Sequence, residues 1–213
     1  GVLTELPATD FSGSMTVTVT VSDGSLTDSA SFTLTVNPVN DAPVVSAIAD
    51  QTVAEDASLS LTLSATDADG DDVTFSASVD NGSAVVDGTT LTVTPGQDFN
   101  GDLTVTVSAN DGELSGSGSF VLTVTPVNDA PVLASVDAVS FDEDGSGSTT
   151  LSGSDIDSTD LTYSISAGTD ITATVDGTAV SFSAPADFNG SESFTATVTD
   201  GEFTSSQTFT VTV

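Results

Sequence analysis

Apolar and hydroxyl-bearing residues alternate one by one along much of the chain, as in Leu59-Ser60-Leu61-Thr62-Leu63, Leu91-Thr92-Val93, Leu103-Thr104-Val105-Thr106-Val107 and Phe120-Val121-Leu122-Thr123-Val124. A period of two sends successive side chains to opposite faces of an extended strand, so each run predicts a strand with one buried and one solvated face. Val73-Thr74-Phe75 and a segment after Pro43 add two more. Between the runs stand Asp69-Gly70, Asn81-Gly82, Asp87-Gly88 and Asp111-Gly112, dipeptides that favour tight hairpin turns. About seven short strands result, and no stretch has the 3.6-residue period of a helix. The expectation is an all-β protein of antiparallel sheets packed face to face.

The pattern repeats. Pro38-Val39-Asn40-Asp41-Ala42-Pro43-Val44 returns as Pro126-Val127-Asn128-Asp129-Ala130-Pro131-Val132, 88 positions later. That period is one small β-sandwich long, and the recurring heptapeptide reads as a joint between modules. Its prolines hold the chain extended and withhold backbone donors, while Asn and Asp offer oxygens to a cation. Residues 1–38 read as the back half of a module, 39–127 as a complete one and 128–213 as a second. The half module reproduces Leu91, Pro95, Asp98, Phe99, Gly101, Asp111, Gly112 and Phe120 as Leu3, Pro7, Asp10, Phe11, Gly13, Asp23, Gly24 and Phe32. Phe32, Phe120 and Phe209 are expected to open the last strand of each copy as core anchors. A half sandwich leaves its inner face wet, so residues 1–38 are expected to be poorly stable unless other strands complete them.

Charge changes the picture. The 213 residues include 32 acids and no Lys, Arg, His or Cys, for a formal charge of −32. Acidity of this order suggests a disordered tail, but 37% hydrophobic residues in period-two runs suffice for small cores. No carboxylate has a basic side chain to pair with. Two carboxylates brought to about 5 Å repel by about 3 kcal/mol at an effective dielectric near 20, so cations from the medium must neutralise them. The same charge argues against nucleic acid and anionic lipid as partners. No run reaches a membrane span, and Gly1-Val2-Leu3 does not begin a signal peptide, so the chain reads as an internal fragment of a longer one.

The acids recur in module register. An early pair occurs at Glu55-Asp56 and in Asp142-Glu143-Asp144, and an alternating pair at Asp67 and Asp69, repeated at Asp155 and Asp157. A third acid precedes a Gly-bearing turn at Asp10, Asp98 and Asp187, and a fourth lies in Asp23-Gly24, Asp111-Gly112 and Asp200-Gly201. Counting strand reversals places the alternating pair and the Asp-Gly acid at the end beside the module's own leading joint. The early pair and the third acid fall at the opposite end. Neighbouring modules therefore aim acids at a shared linker. Oxygen donors without His or Cys disfavour zinc and copper.

The order of Ala65-Thr66-Asp67-Ala68-Asp69-Gly70, Asp98, Ala109-Asn110-Asp111-Gly112 and the Asn-Asp-Ala-Pro joint resembles the cadherin repeat, closest to the cadherin-like tandem repeats of large bacterial surface proteins and repeats-in-toxin (RTX) adhesins. The resemblance implies tandem immunoglobulin-like, cadherin-like Greek-key sandwiches of about seven strands, end to end, with Ca2+ clamped at each joint. It implies one cluster formed by Glu55, Asp98, Asn128, Asp129, Asp155, Asp157 and Asp200, and an earlier one formed by Asp10, Asn40, Asp41, Asp67, Asp69 and Asp111. The chain departs from the animal pattern at Asn100, where a second carboxylate is usual, and at Pro38 and Pro126, where an acid precedes the joint Asn. Fewer carboxylates suggest about one or two ions per joint.

Asp-Gly is a common turn by itself, and Asp67-Ala68-Asp69-Gly70-Asp71 could open an EF-hand-like loop, but Ser78 stands where its twelfth-position Glu is needed. Asn81-Gly82-Ser83 and Asn189-Gly190-Ser191 match the glycosylation pattern and also serve as turns. Without His, Cys, Lys or Arg there is no ordinary base for a Ser nucleophile and no phosphate cradle, so an enzyme is not expected. The function expected is a calcium-rigidified extender segment of an extracellular, bacterial-surface adhesin, whose partners are neighbouring repeats of the same chain. A cell surface, a glycan or another copy would be met through distal domains, with no direct membrane insertion. The alternatives are a carbohydrate- or protein-binding module, disfavoured by one Tyr and no Trp, and a filament subunit completed by a strand from another chain.

Overall fold

The computed structural model describes residues 3, 4 and 6–213, and they contain strands and turns but no helix. The chain forms two compact units, 1–126 and 127–213. In the first, β1 (Gly13–Ser22) and β2 (Thr27–Val36) make a two-stranded hairpin. After the first joint come β3 (Val44–Val45), β4 (Gln51–Ala54), β5 (Leu59–Thr62), β6 (Ala65–Thr66), β7 (Thr74–Val79), β8 (Ser83–Asp87), β9 (Thr90–Thr94), β10 (Gly101–Asn110) and β11 (Ser115–Thr125).

These strands build a sandwich. One sheet has the order β4-β11-β10-β7, the other β5-β9-β8, and β3 pairs with β6 at one corner. The seven strands of the two main sheets are antiparallel except that β4 runs parallel to β11. Alternation does what period two predicts: along β10, Leu103, Val105, Val107 and Ala109 are buried while Asp102 and Thr104 face water. Leu103, Val105 and Val107 form one core with Leu91 and Val93 of β9 and Phe120, Leu122 and Val124 of β11. Gly82, at φ +94, turns β7 into β8 where an added Cβ would strike the backbone of Thr94 and Pro95.

The second unit repeats the plan with β12 (Val132–Leu133), β13 (Val139–Ser140), β14 (Ser146–Thr150), β15 (Gly153–Ser154), β16 (Thr162–Ile165), β17 (Thr172–Asp176), β18 (Ala179–Ser183), β19 (Ser191–Thr199) and β20 (Thr204–Thr212). Its sheets are β13-β20-β19-β16 and β14-β18-β17, with β12 paired to β15. Aromatic rings do more here: Phe182 meets Phe194 and Phe209 edge-on, with centroids 5.3 and 6.0 Å apart.

Two expectations are corrected. Phe120 and Phe209 lie in the middle of the last strands rather than at their start, because pairing begins earlier, at Ser115 and Thr204. Both are core residues, 3% and 6% exposed, but Phe32 is 49% exposed because no second sheet covers the hairpin among the described residues.

Candidate metal centre at the leading end of each module

The alternating pair, the Asp-Gly acid and the joint meet at one corner in both units. In the first, Asp67 follows β6, and its Oδ1 accepts the N–H groups of Asp69, Gly70 and Asp71 at 2.9, 3.0 and 3.3 Å. The loop folds this way because a short Asp side chain can satisfy the amides of the turn that follows it. Asp69 then turns to the joint, its Oδ2 accepting the Asp41 N–H at 2.8 Å. Asp111 Oδ1 closes the β10–β11 turn by accepting the N–H groups of Glu113 and Leu114, leaving Oδ2 to accept the Asn40 side-chain amide at 2.9 Å. Asp10 of the half module completes the set. It lines an open hollow of about 300 Å³ with Asp41 and Asp67.

The second unit repeats these bonds except the third to the capping Asp. Asp155 Oδ1 accepts from the N–H groups of Asp157 and Ser158, Asp157 Oδ2 from the Asp129 N–H at 2.8 Å, and Asp200 Oδ2 from the Asn128 amide at 2.7 Å. Asn128, Asp129, Asp155, Asp157 and Asp200 thus lie together at one corner. Asn40, Asp41, Asp67, Asp69 and Asp111 do the same.

The electrostatics follow from these bonds. Asp111 is held below the usual carboxylate range by the N–H groups of Leu114 and Glu113 and then by the Asn40 amide. For Asp200 the Asn128 amide is the leading cause, followed by the N–H of Glu202. Asp67, Asp69 and Asp71 bring carboxylate oxygens within 4.8 Å of one another. Their repulsion is screened by solvent, because Asp69 and Asp71 are exposed, but no basic side chain exists to offset it.

The corners fit a hard dication. Asp67 Oδ2 and Asp155 Oδ2 are buried and accept no hydrogen bond, although their Oδ1 partners accept two or three. A buried carboxylate oxygen left without a donor is costly unless a cation meets it, and the same oxygen is left so in both units. The corners gather Asp carboxylates and the side-chain amides of Asn40 and Asn128, oxygen-bearing groups of the kind calcium takes.

At the trailing end of the first module, Glu55 is buried at 2% exposure and its N–H bonds to the Thr125 carbonyl, just before the second joint. Asp98 lies beyond β9 in a left-handed conformation, φ 52, as does Asp56 at φ 62. Asp56 and Asp98 approach within 4.8 Å, so the early pair contributes Asp56 as well as Glu55. The metal assignment from sequence passed over Asp56 and Asp71. Their signals were present: Asp56 has a counterpart in Asp144, which shares its left-handed conformation, and Asp71 extends the alternation of Asp67 and Asp69. Glu192, also unassigned, stands in β19 where β10 has Leu103, and its carboxylate accepts the N–H groups of Thr169, Asp170 and Ile171. Those bonds, the one from Asp170 foremost, lower its pKa.

A family model described as a bacterial Ig domain matches residues 40–125 and again 128–212. No curated protein matches the chain at a significant level. Among solved structures, human protocadherin-24 EC1-2 (form II) aligns at 19% identity over 82% of this chain and 99% of that one, with a TM-score of 0.53. Mouse protocadherin-24 EC1-3 aligns at 14% identity over 94% of this chain and 79% of that one, with a TM-score of 0.51. An endo-fucoidan hydrolase of glycoside hydrolase family 107 aligns at 18% identity over 97% of this chain with a TM-score of 0.40, and this chain spans 35% of its length. The protocadherin likeness shows the fold: tandem immunoglobulin-like and cadherin-like β-sandwiches.

Proposed function

Because the chain belongs to the bacterial Ig-domain family, we propose that it is an extender segment of a large extracellular surface protein, stiffened by calcium bound at its joints. Domains of this family are typically structural or adhesive modules of the cell surface. The observation that carries the calcium reading is the pair of buried, donorless oxygens, Asp67 Oδ2 and Asp155 Oδ2, at matching corners beside the joints. Asp67, Asp69, Asp10, Asn40, Asp41 and Asp111 would hold the ion at the first joint. Asp155, Asp157, Asn128, Asp129 and Asp200 would hold it at the second. Calcium supplies the positive charge that the sequence lacks and ties a joint to the loops of the module that follows it. The residues themselves set the site: Asn40 and Asn128 orient Asp111 and Asp200, and the N–H groups of Asp41 and Asp129 orient Asp69 and Asp157.

Binding to the folded state stabilises it by mass action, by about 2.7 kcal/mol where free calcium stands about 100-fold above Kd. The test is small-angle scattering and calorimetric melting in calcium, in magnesium and in chelator at constant ionic strength. Calcium alone is expected to raise Tm and narrow the distribution of particle shapes. Identical profiles in all three buffers would reduce the acids to solvated faces.

A further inference from the structure

We propose that residues 166–171 form a strap over the aromatic core of the second module and that Glu192 is its latch, a carboxylate that holds the strap down while ionised and releases it on protonation. Glu192 pairs with Val211 on β19 as Leu103 pairs with Leu122 on β10, and Leu103 is a core residue. Both oxygens of Glu192 go to one loop. Oε2 accepts the N–H of Thr169 at 2.9 Å, and Oε1 accepts those of Asp170 at 2.7 Å and Ile171 at 3.3 Å. Three successive amides turned on one carboxylate make a nest that favours negative charge. A protonated carboxyl accepts more weakly, and its O–H finds only donors among these three groups.

The loop is longer than its counterpart. Three residues, 80–82, join β7 to β8, whereas six, 166–171, join β16 to β17. Its ends are fixed without Glu192. The Ser166 N–H donates to the Thr195 carbonyl and Ser166 Oγ accepts the Thr195 N–H, both at 2.9 Å, while Ile171 is buried in the core. Residues 167–170 between them are exposed, and the bonds to Glu192 tie this middle down. Gly168 shows how closely the strap lies: a Cβ there would strike the Glu192 carboxylate and the Phe194 ring. Phe194 is fully buried and meets Phe182 edge-on, so lifting the strap uncovers the aromatic cluster. The longer loop and the acid in a core register occur together in one module, as a strap and its latch require.

The surroundings give the direction of the response. The strap's N–H groups, that of Asp170 foremost, hold Glu192 below the usual carboxylate range. Its grip is therefore complete above the ordinary Glu pKa, about pH 4, and is lost as pH falls through the folded value. On the strap itself Asp170 is the titratable residue. β20, paired to β19, carries none, nor does β13 beyond it. β16 carries Tyr163, and the facing sheet only Asp176, at the end of β17 away from the strap. The neighbouring loops at this end hold Asp142, Glu143, Asp144 and Asp187, and the Asp187 N–H turns to Asp144 at 3.4 Å. The bonds of the latch involve no residue of the leading corner, so it works with or without calcium at the joint.

The test is NMR of the full chain in calcium and in chelator. On acidification the amide signals of Thr169, Asp170 and Ile171 and the ring signals of Phe194 are expected to move through one midpoint, below the ordinary Glu range and before the amides of β10 change. Asp170→Asn removes the neighbouring acid and should leave the movement of Thr169 and Ile171 in place. Glu192→Gln keeps the size of the side chain but turns an amide donor on the nest. It should abolish the midpoint and speed hydrogen exchange of the three amides at least tenfold at pH 7, with the first module unchanged. Separate midpoints, a Phe194 ring that does not respond, loss of the midpoint in Asp170→Asn or unchanged exchange in Glu192→Gln overturns the proposal. So does a response seen in calcium alone. If Glu192→Gln fails to fold, the carboxyl-carbon titration of Glu192 in the unaltered chain decides: the midpoint must be that of the three amides, and a different one overturns the latch.

Discussion

The two leading corners share a scaffold and differ at its rim. In each, one Asp caps its own loop, the next Asp takes the joint's N–H, and an Asn of the joint takes the Asp-Gly acid, at distances that agree within about 0.2 Å. The first corner adds a third carboxylate, Asp71, where the second has Thr159. The constant part is the set of bonds that any oxygen-lined cation corner would need held in place. The variable part is the amount of negative charge it presents. Scaffold and charge are therefore separable, and substitutions can address them one at a time.

The largest effect is expected from removing the scaffold. Asp67→Ala and Asp155→Ala each strip the cap from two or three loop amides, at a net cost of about 1 kcal/mol per hydrogen bond lost. In saturating calcium the loss should grow by the linked binding energy, about 2.7 kcal/mol at 100 times Kd. Asp67→Ala should act on the first unit and Asp155→Ala on the second, which hydrogen exchange resolves. An equal loss in calcium and in chelator would make both residues loop caps and nothing more.

Charge is the subtler lever, and its sign should invert with the medium. Asp71→Thr gives the first corner the second corner's rim. In chelator it relieves repulsion with Asp67 and Asp69 and should raise stability, by about 0.5 kcal/mol once solvent screening at this exposed site is allowed for. In calcium it removes a ligand or a nearby countercharge and should weaken binding about tenfold, equivalent to 1.4 kcal/mol. Thr159→Asp should do the reverse in the second unit. Calorimetric titration and melting read both arms, and one sign in both media would show that the corners do not hold the ion.

Much of this was legible in the sequence, for reasons that are local. Period two fixed the faces of β5, β9 and β10, and Asp87-Gly88 and Asp111-Gly112 marked hairpins, whereas Asp69-Gly70 and Asn81-Gly82 turn between strands that do not pair with each other. Strand reversals then sorted Asp67, Asp69 and Asp111 from Glu55 and Asp98. What escaped was tertiary. β4 is four residues long and is held by parallel pairing with a strand about 70 positions away, which no local pattern announces. Phe32 reads like Phe120 because both stand in the same register of an alternating run, and their burial differs with what lies on top. Glu192 occupies a core position in register and is tolerated because three amides from another loop converge on it, a fact visible only in three dimensions.

The smallest effect separates the two Asn residues of the joints. Asp111 and Asp200 both have lowered pKa values in the folded state, so their contribution to stability is complete above the ordinary carboxylate pKa, about pH 4, and is lost as pH falls through the folded value. The causes are ranked differently, however. The Asn128 amide leads for Asp200, whereas for Asp111 the Asn40 amide follows two backbone N–H groups. Asn128→Ala should therefore raise the pKa of Asp200 more than Asn40→Ala raises that of Asp111, as read from carboxyl-carbon chemical shifts in calcium-free buffer. The melting profile of the Asn128→Ala protein should be correspondingly flatter below about pH 4. Equal shifts in the two variants would overturn this ranking, and no shift in either would mean that the turn amides alone hold both acids.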